Sequence, residues 1–387
     1  MATRIVLHIG PRKTGSTFLQ QTLTALAPVL LEQDVLYPTR MAGADRYNHV
    51  AAVFSVEEAR AGRRGAWSGI SPAPLANLVR QIDDFPGVVV LSAEAAGGLQ
   101  SSAARALLTR LPGVPVHAIA CLRALPAIFI SSWTQHVANG HRISLERYVK
   151  MRIHQREASP PPDHEARWDE GHDYTFWRSY YYPGLVRRWA SLVDSLSVIT
   201  VPPSTSDKGV LWSRFRDALE SDAVPNVLPA LPDHAGNSQM TMAEVEVLRA
   251  INREAAAAKL ERKRIKLGTR DLSKNSWMAR EDRGPRVNLP ETHLELVSSW
   301  GRQDASELSQ MHVNVIGDLD DLLEVPDSHY PKPRASDVAS AAGAAVAWAV
   351  IQGPFDPAWR QRVQRRISRW RRRISRWRRR ISRWGRG

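Results

Sequence analysis

A glycine-rich segment near the N-terminus carries residue types that bind phosphate. It reads GPRKTGST from Gly10 to Thr17, follows the apolar run Ile5–Ile9 and precedes a helical pattern that extends from Phe18 through Leu26. A loop between a strand and a helix points backbone N–H groups and the positive end of the helix at an anion. The segment therefore predicts a phosphate site. Its predicted ligand-binding residues are Arg12, Lys13, Thr14, Gly15, Ser16 and Thr17.

The position of the loop lysine separates this segment from the loop of nucleoside-triphosphate enzymes. That motif places a lysine directly after its second glycine, where this chain has Ser16, and the lysine here stands earlier, at Lys13. An enzyme without a lysine after the second glycine lacks the cation that reaches the β- and γ-phosphates. A nucleotide-dependent phosphotransferase or kinase stays open as an alternative, and so does a strand–helix turn that binds nothing.

The segment HIGPRKTGSTFLQ resembles the 5′-phosphosulfate loop of sulfotransferases that use 3′-phosphoadenosine-5′-phosphosulfate (PAPS). Members of that family carry a second feature, an arginine at the end of a strand and a serine eight residues later on the next helix. Here Arg123 follows the apolar run Val116–Leu122, and Ser131 lies eight residues further on. The resemblance implies that both residues grip the 3′-phosphate, and the fork of an arginine suits a phosphate because it donates two parallel charged hydrogen bonds.

Weaker similarity to bacterial members of this family extends over roughly residues 1–330. It implies a P-loop-NTPase-like sulfotransferase fold, PAPS as cofactor with the bisphosphate PAP as product, and no metal. It also implies a small-molecule acceptor that bears a hydroxyl, with a carbohydrate or a glycolipid expected. The similar segments are LYPTR at Leu36–Arg40 followed by Asn48 and His49, LSAE at Leu91–Glu94, the run from Asn237, and Val313–Glu324.

Sulfuryl transfer parallels phosphoryl transfer, so it needs cations at the leaving phosphate and a base for the acceptor hydroxyl. Lys13 is the candidate for stabilising the bridging oxygen. Glu94 and His49 compete as the base. Glu94 follows the apolar run Val88–Ser92 and is expected at the carboxyl end of a strand, where α/β folds bind ligands. His49 has a side chain whose ordinary pKa suits proton abstraction at neutral pH.

The pattern around these residues predicts the elements that position them. Short apolar runs alternate with helical segments up to Val201, and a mostly helical pattern follows Pro203. Such alternation favours an α/β fold with a parallel β-sheet flanked by helices. The predicted strands are Ile5–Ile9, Val35–Tyr37, Val88–Ser92, Val116–Leu122 and Leu196–Val201, and the predicted helices include Val50–Ala61, Ala103–Thr109, Pro126–Val137, Tyr182–Val193, Glu244–Ala258 and His293–Gln310.

The charge of the chain is concentrated at its C-terminus. The chain has 387 residues, with 53 Lys and Arg against 39 Asp and Glu, and 14 of the arginines lie between residues 360 and 387. The remaining 39 basic residues equal the acidic ones, so composition does not indicate a nucleic-acid-binding body. We expect a sulfotransferase domain at 1–326, a linker at 327–337, and an apolar segment with a heptad-repeat tail at 338–387.

The tail carries apolar residues at alternating spacings of four and three, with arginines between them. A helix with this pattern has one apolar stripe and a basic remainder, which favours an anionic membrane surface. Nucleic acid, an acidic partner, or a tail without function are the alternatives, and a non-catalytic membrane- or nucleic-acid-associated protein is the alternative for the whole chain. The N-terminus shows no secretory signal, so a cytoplasmic protein, peripheral at the inner membrane surface, is expected. The stripe is Val363, Ile367, Trp370, Ile374, Trp377, Ile381 and Trp384.

Overall fold

The structure is a computed structural model. It describes residues 1–39, 49, 73–158, 175–203, 205–220, 224–230, 240–260, 268–269, 272–273, 276–277, 280, 283–324 and 332–352. The predicted helix at Val50–Ala61 and the arginine-rich tail at 360–387 lie outside these residues.

Six strands of the described chain form one sheet in which every pair is parallel. The strands lie in the order β2-β3-β1-β4-β5-β6, and helices flank the sheet. This arrangement confirms the predicted α/β class. The strands are β1 (Arg4–Gly10), β2 (Val35–Leu36), β3 (Val88–Ser92), β4 (Val116–Leu122), β5 (Ser195–Thr200) and β6 (Asn314–Ile316).

The helices alternate with the strands up to β5 and then dominate the chain. Their bounds are α1 (Ser16–Leu31), α2 (Ala73–Asp83), α3 (Ser101–Leu108), α4 (Leu125–Ala138), α5 (Leu145–Glu157), α6 (Thr175–Tyr180), α7 (Tyr182–Ala190), α8 (Lys208–Leu219), α9 (Met242–Ala257), α10 (Glu291–Ser309) and α11 (Ala335–Gln352).

The topology determines where a ligand is expected. From β1 the chain moves first to one side of the sheet, to β2 and β3, and later to the other side, to β4, β5 and β6. In open α/β sheets, ligands bind at the carboxyl ends of the strands, near the point where the strand order reverses. The loop that leaves β1 therefore occupies the expected position.

An apolar core fixes the helix that follows this loop. Leu19 and Leu23 of α1 pack in one buried cluster with Val6 of β1 and with Trp212 and Phe215 of α8. All five side chains are almost fully buried. Burial of a large apolar side chain stabilises the fold by about 1.5–3 kcal/mol, so this face holds α1 firmly against the sheet.

The described residues form two compact units. The first unit contains the sheet and comprises Met1–His136, Ile143–Gln239 and Val287–Pro331. The second comprises Val137–Arg142, Met240–Arg286 and the described residues from Lys332 onward. The sequence predicted a single domain over 1–326, whereas 240–286 belong to the second unit.

Helices α9 and α11 pack together in the second unit. The start of α9 is closed by a capping box, in which the Thr241 and Glu244 side chains each accept from the other residue's backbone N–H. The indole of Trp277 donates to the Ala341 carbonyl of α11 at 3.0 Å. Helix α11 begins at Ala335, inside the predicted linker, and includes the predicted apolar segment up to Gln352. None of the described helices is long and apolar enough to cross a membrane.

Candidate anion-binding and transfer site

The loop between β1 and α1 turns sharply. Gly10, Lys13 and Gly15 have positive φ angles of 86°, 70° and 85°. Glycine suits two of these positions because a Cβ at Gly10 would lie 2.4 Å from the Glu94 carbonyl oxygen, and one at Gly15 would lie 2.5 Å from Leu211 Cδ2. Lys13 adopts the left-handed conformation without being glycine, which costs about 1 kcal/mol. Such conformations are concentrated at functional sites.

The first turn of α1 presents backbone donors at the end of this loop. The N–H groups of Phe18 and Leu19 bond to the Gly15 carbonyl at 2.9 and 3.2 Å. The N–H groups of Ser16 and Thr17 have no partner among the described residues, and Gly15 offers no side chain to cap them. Free donors at a helix N-terminus form a ready anion site.

The remaining loop residues differ in burial, and some stabilise the turn whereas others are exposed to solvent. The Thr14 hydroxyl is fully buried and donates to the Pro11 carbonyl at 2.6 Å, so it closes the turn from inside. Ser16 is nearly buried, and Thr17 is exposed at the helix start. Arg12 is exposed, and its carbonyl accepts from the Tyr180 hydroxyl at 3.0 Å. Thr14 therefore offers a ligand its backbone and not its hydroxyl.

Two cations meet at the loop. The guanidinium of Arg123 donates from Nη1 to the Lys13 carbonyl at 3.3 Å, and Lys13 Nζ approaches Gln135 Oε1 to 3.5 Å. Burial lowers the pKa of Lys13 to about 8, with further lowering by Arg123 and Arg12 and partial opposition from Glu94. In the part of the chain that the structure describes, no carboxylate lies within ion-pair distance of Lys13 or Arg123.

The backbone of Arg123 is fixed by Tyr182, the first residue of α7. The Tyr182 hydroxyl donates to the Arg123 carbonyl and lies 3.3 Å from the Arg123 amide nitrogen. Burial lowers the pKa of the Arg123 guanidinium, and the charge of Glu324 partly opposes this. The group stays charged at any physiological pH. Arg123 therefore presents a held, half-buried cation beside the loop.

Helix α4 brings the predicted Ser131 to the same region. Ser131 lies one turn before Gln135, the residue that Lys13 Nζ approaches, and residues four apart share one face of a helix. The Ser131 hydroxyl donates to the Ile128 carbonyl at 3.2 Å, and its oxygen retains the capacity to accept. The structure thus gathers Lys13, Arg123 and the Ser131 face of α4 around the β1 loop.

Glu94 follows β3, at the carboxyl edge of the sheet next to the loop. Its backbone lies against Gly10, and its charge is close enough to Lys13 to affect that pKa. The amide nitrogen of Gln20, in α1, donates to Glu94 Oε2 at 2.6 Å. The carboxylate is half-buried. The arrangement leaves Glu94 able to reach a molecule bound at the loop.

His49, the other predicted base, is committed to the backbone. Its Nδ1 accepts from the Ser92 N–H at 2.8 Å, and its Nε2 donates to the Pro38 carbonyl at 3.0 Å. Burial lowers the pKa of His49 to about 3. Because neither ring nitrogen has a lone pair left for a substrate proton, the geometry favours Glu94 over His49 as the base.

Four residues of this region were not predicted from the sequence. They bind the loop, the arginine or the carboxylate through hydrogen bonds that depend on the folded arrangement. Gln20 had one readable signal, its place four residues after Ser16 on a helix whose other face is apolar. The four are Gln20, Gln135, Tyr180 and Tyr182.

Comparison of the chain with protein-family models, with curated proteins and with solved structures found no match.

Proposed function

We propose that this chain transfers a sulfuryl group from PAPS to the hydroxyl of an acceptor, of which a carbohydrate or a glycolipid is the expected class. One observation carries the proposal. Lys13 and Arg123 are held together at a helix N-terminus although like charges repel, and neither forms an ion pair with a described carboxylate, although the charges of Glu94 and Glu324 favour them from a greater distance. An anion that binds there reduces the repulsion between the two cations and accepts hydrogen bonds from the N–H groups of Ser16 and Thr17.

The kind of anion follows from the two separate groups of donors. The loop N–H groups suit a 5′-phosphate, whereas Arg123 and Ser131 come from β4 and α4 and suit a second phosphate. A 3′,5′-bisphosphate would engage both. The motif resemblance assigns them in the same way, and the parallel sheet with a loop after its first strand is compatible with a P-loop-like fold.

The transfer step follows the residues at the loop. The acceptor oxygen attacks sulfur while the bond from sulfur to the 5′-phosphate oxygen breaks, and the electron pair leaves with that phosphate. The acceptor proton passes to the Glu94 carboxylate. Lys13 in its charged form stabilises the oxygen that gains charge, which is the largest contribution expected from a single group in such a site.

The first experiment is calorimetric titration of the full chain with PAP, and in parallel with adenosine 5′-monophosphate and ATP. PAP should bind most tightly because only PAP carries the 3′-phosphate. Arg123→Ala should weaken PAP binding about 100-fold, as expected for the loss of charged hydrogen bonds, and should bring PAP close to the monophosphate.

Arg302→Ala provides a matched control because Arg302 is an exposed arginine of α10 that pairs with Glu295. Its PAP affinity should equal that of the wild type. Binding of ATP in preference to PAP, with no dependence on the 3′-phosphate, would overturn the proposal in favour of a phosphotransferase.

A further inference from the structure

Gln20 joins the phosphate-binding helix to the candidate base. Its side chain is half-buried on α1, and its Nε2 donates to Glu94 Oε2 at 2.6 Å and to Ser92 Oγ at 3.2 Å. We propose that Gln20 is a positioning residue, which holds the Glu94 carboxylate in the orientation that accepts the proton of the acceptor hydroxyl. The inference rests on the proposed sulfuryl transfer.

The contacts of Gln20 fix which end of its amide faces the base. A carboxylate only accepts hydrogen bonds, so the amide nitrogen must point to Glu94. The same nitrogen reaches Ser92 Oγ, which in turn contacts His8 Nδ1 at 2.8 Å. His8 is fully buried, and burial lowers its pKa to about 4, so the ring is neutral and fixed. The amide is thereby tied to a rigid part of the sheet.

The Glu94 carboxylate is held at one oxygen only. Oε2 accepts from Gln20, and Oε1 has no hydrogen-bond partner within the described ranges. The backbone of Glu94 is held separately, because Gly10 packs directly against it. Because the main chain and one oxygen are fixed, the second oxygen also has a fixed position, from which it can accept a substrate proton.

Helix α1 relates the base to the phosphate loop. Ser16, at its first position, and Gln20 are four residues apart on one face of the helix, so they are separated by about 6 Å along the axis. The apolar face of α1 is buried in the core and prevents sliding. The same rigid element thus carries the donors for the leaving phosphate and the group that orients the base, and misplacement by about 1 Å at such sites costs roughly 100-fold in rate.

The test compares Gln20→Met with Gln21→Met in the full chain. Methionine keeps the volume and the helix propensity of glutamine and removes the donor. Gln21 is the neighbouring residue of α1, and its side-chain oxygen is buried without a partner in the described structure. The rate of PAP release from PAPS is measured with octyl glucoside as acceptor and with water as acceptor, and PAP affinity is measured by calorimetry.

Gln20→Met should retain PAP affinity and lower kcat by about 10- to 100-fold, which is part of the effect of a general base. Gln21→Met should match the wild type in all three measurements. In a Glu94→Gln background, Gln20→Met should cause no further loss, since it acts through the carboxylate.

Each other outcome overturns the inference. If Gln20→Met matches Gln21→Met, or lowers the rate equally with and without the Glu94 carboxylate, Gln20 does not position the base, and the proposed function stands. If Gln20→Met loses PAP affinity, its role is in the structure of α1. If the wild-type chain releases no PAP from PAPS with either acceptor, the proposed function and the inference fail together.

Discussion

In the first unit, the fold pairs one buried cation, Arg156, with a carboxylate and leaves two others, Lys13 and Arg123, without such a partner among the described residues. Arg156 of α5 donates to Asp304 of α10 at 2.8 Å, and both side chains are almost completely buried. The Arg156 guanidinium also lies over the rings of Trp177, Tyr181 and Trp300, 4.8 to 5.4 Å from their centroids. Its charge is neutralised, and its faces are covered.

Neither Lys13 nor Arg123 forms such an ion pair with a described carboxylate. The Arg123 guanidinium donates to the Lys13 carbonyl, and Lys13 Nζ contacts the amide oxygen of Gln135. Burial and the Arg123 charge lower the pKa of Lys13, whereas the charges of Glu94 and Glu324 favour the charged forms of Lys13 and Arg123 without forming ion pairs with them. A cation that the fold neutralises contributes to structure, whereas a cation that the fold leaves unpaired beside free N–H donors is available to a ligand. The two groups therefore predict opposite effects of mutation on stability and on binding.

Removing the negative charge of the buried pair should have the largest effect. Asp304→Asn leaves the Arg156 charge buried without its counterion, and we expect the free energy of unfolding to fall by about 3–5 kcal/mol. Urea unfolding of the full chain measures this change.

The double variant Arg156→Met with Asp304→Leu is the control, because replacing both charges by apolar groups is often close to neutral. It should recover most of the lost stability. If the free energy of unfolding of Asp304→Asn lay within 1 kcal/mol of the wild-type value, the distinction between Arg156 and the two loop cations would be lost.

Lys13→Met should show the opposite behaviour. Loss of a cation that stabilises developing charge lowers the transfer rate by about 1000-fold. Stability should stay equal or rise by less than about 1 kcal/mol, because a partly buried and repelled charge disappears. PAP release from PAPS and urea unfolding are measured on the same samples.

Lys150→Met is the matched control, since Lys150 is an exposed lysine of α5 paired with Glu146. It should change neither the transfer rate nor the free energy of unfolding. If Lys13→Met were destabilising by several kcal/mol, Lys13 would belong to the structural group with Arg156.

The sequence predicted the parts of this arrangement that depend on local pattern. The run Ile5–Ile9 followed by a glycine-rich turn is sufficient to predict β1, the loop and the start of α1, because a strand, a turn and a helix each leave a short-range signature. The strands β3 and β4 were likewise predicted at Val88–Ser92 and Val116–Leu122. β6 was not, since three residues at the edge of the sheet are too few to show a period.

The remaining parts depend on contacts between distant segments. The choice between Glu94 and His49 needed the partners of both histidine nitrogens, which come from Pro38 and Ser92 and leave no trace in spacing. Gln20 lies 74 positions from Glu94, so only the packing of α1 beside β3 joins them. The grouping of the described residues of 240–286 with those from Lys332 to Gln352 is also a matter of tertiary packing.

The smallest expected effect concerns only the protonation of Lys13. Its pKa of about 8 in the ligand-free chain lies below the ordinary value of 10.5, and a bound bisphosphate favours the charged amine. Affinity for PAP should thus be highest below about pH 8, where Lys13 is charged. It should fall as pH rises above this value, by at most about tenfold per pH unit. Calorimetry between pH 7.5 and 9.5 measures this where the phosphates, with second pKa values of about 6, no longer titrate.

Lys13→Met should abolish this dependence, because it removes the titrating amine from the site. Proton uptake on binding, obtained by repeating the titration in buffers of different ionisation enthalpy, should appear in the wild type above pH 8 and vanish in the variant. An affinity that stays constant across this range in the wild type would mean that Lys13 is already fully charged in the free chain or does not meet the ligand. In the second case Arg123 alone would retain the role of the unpaired cation, and the contrast with Arg156 would rest on one residue.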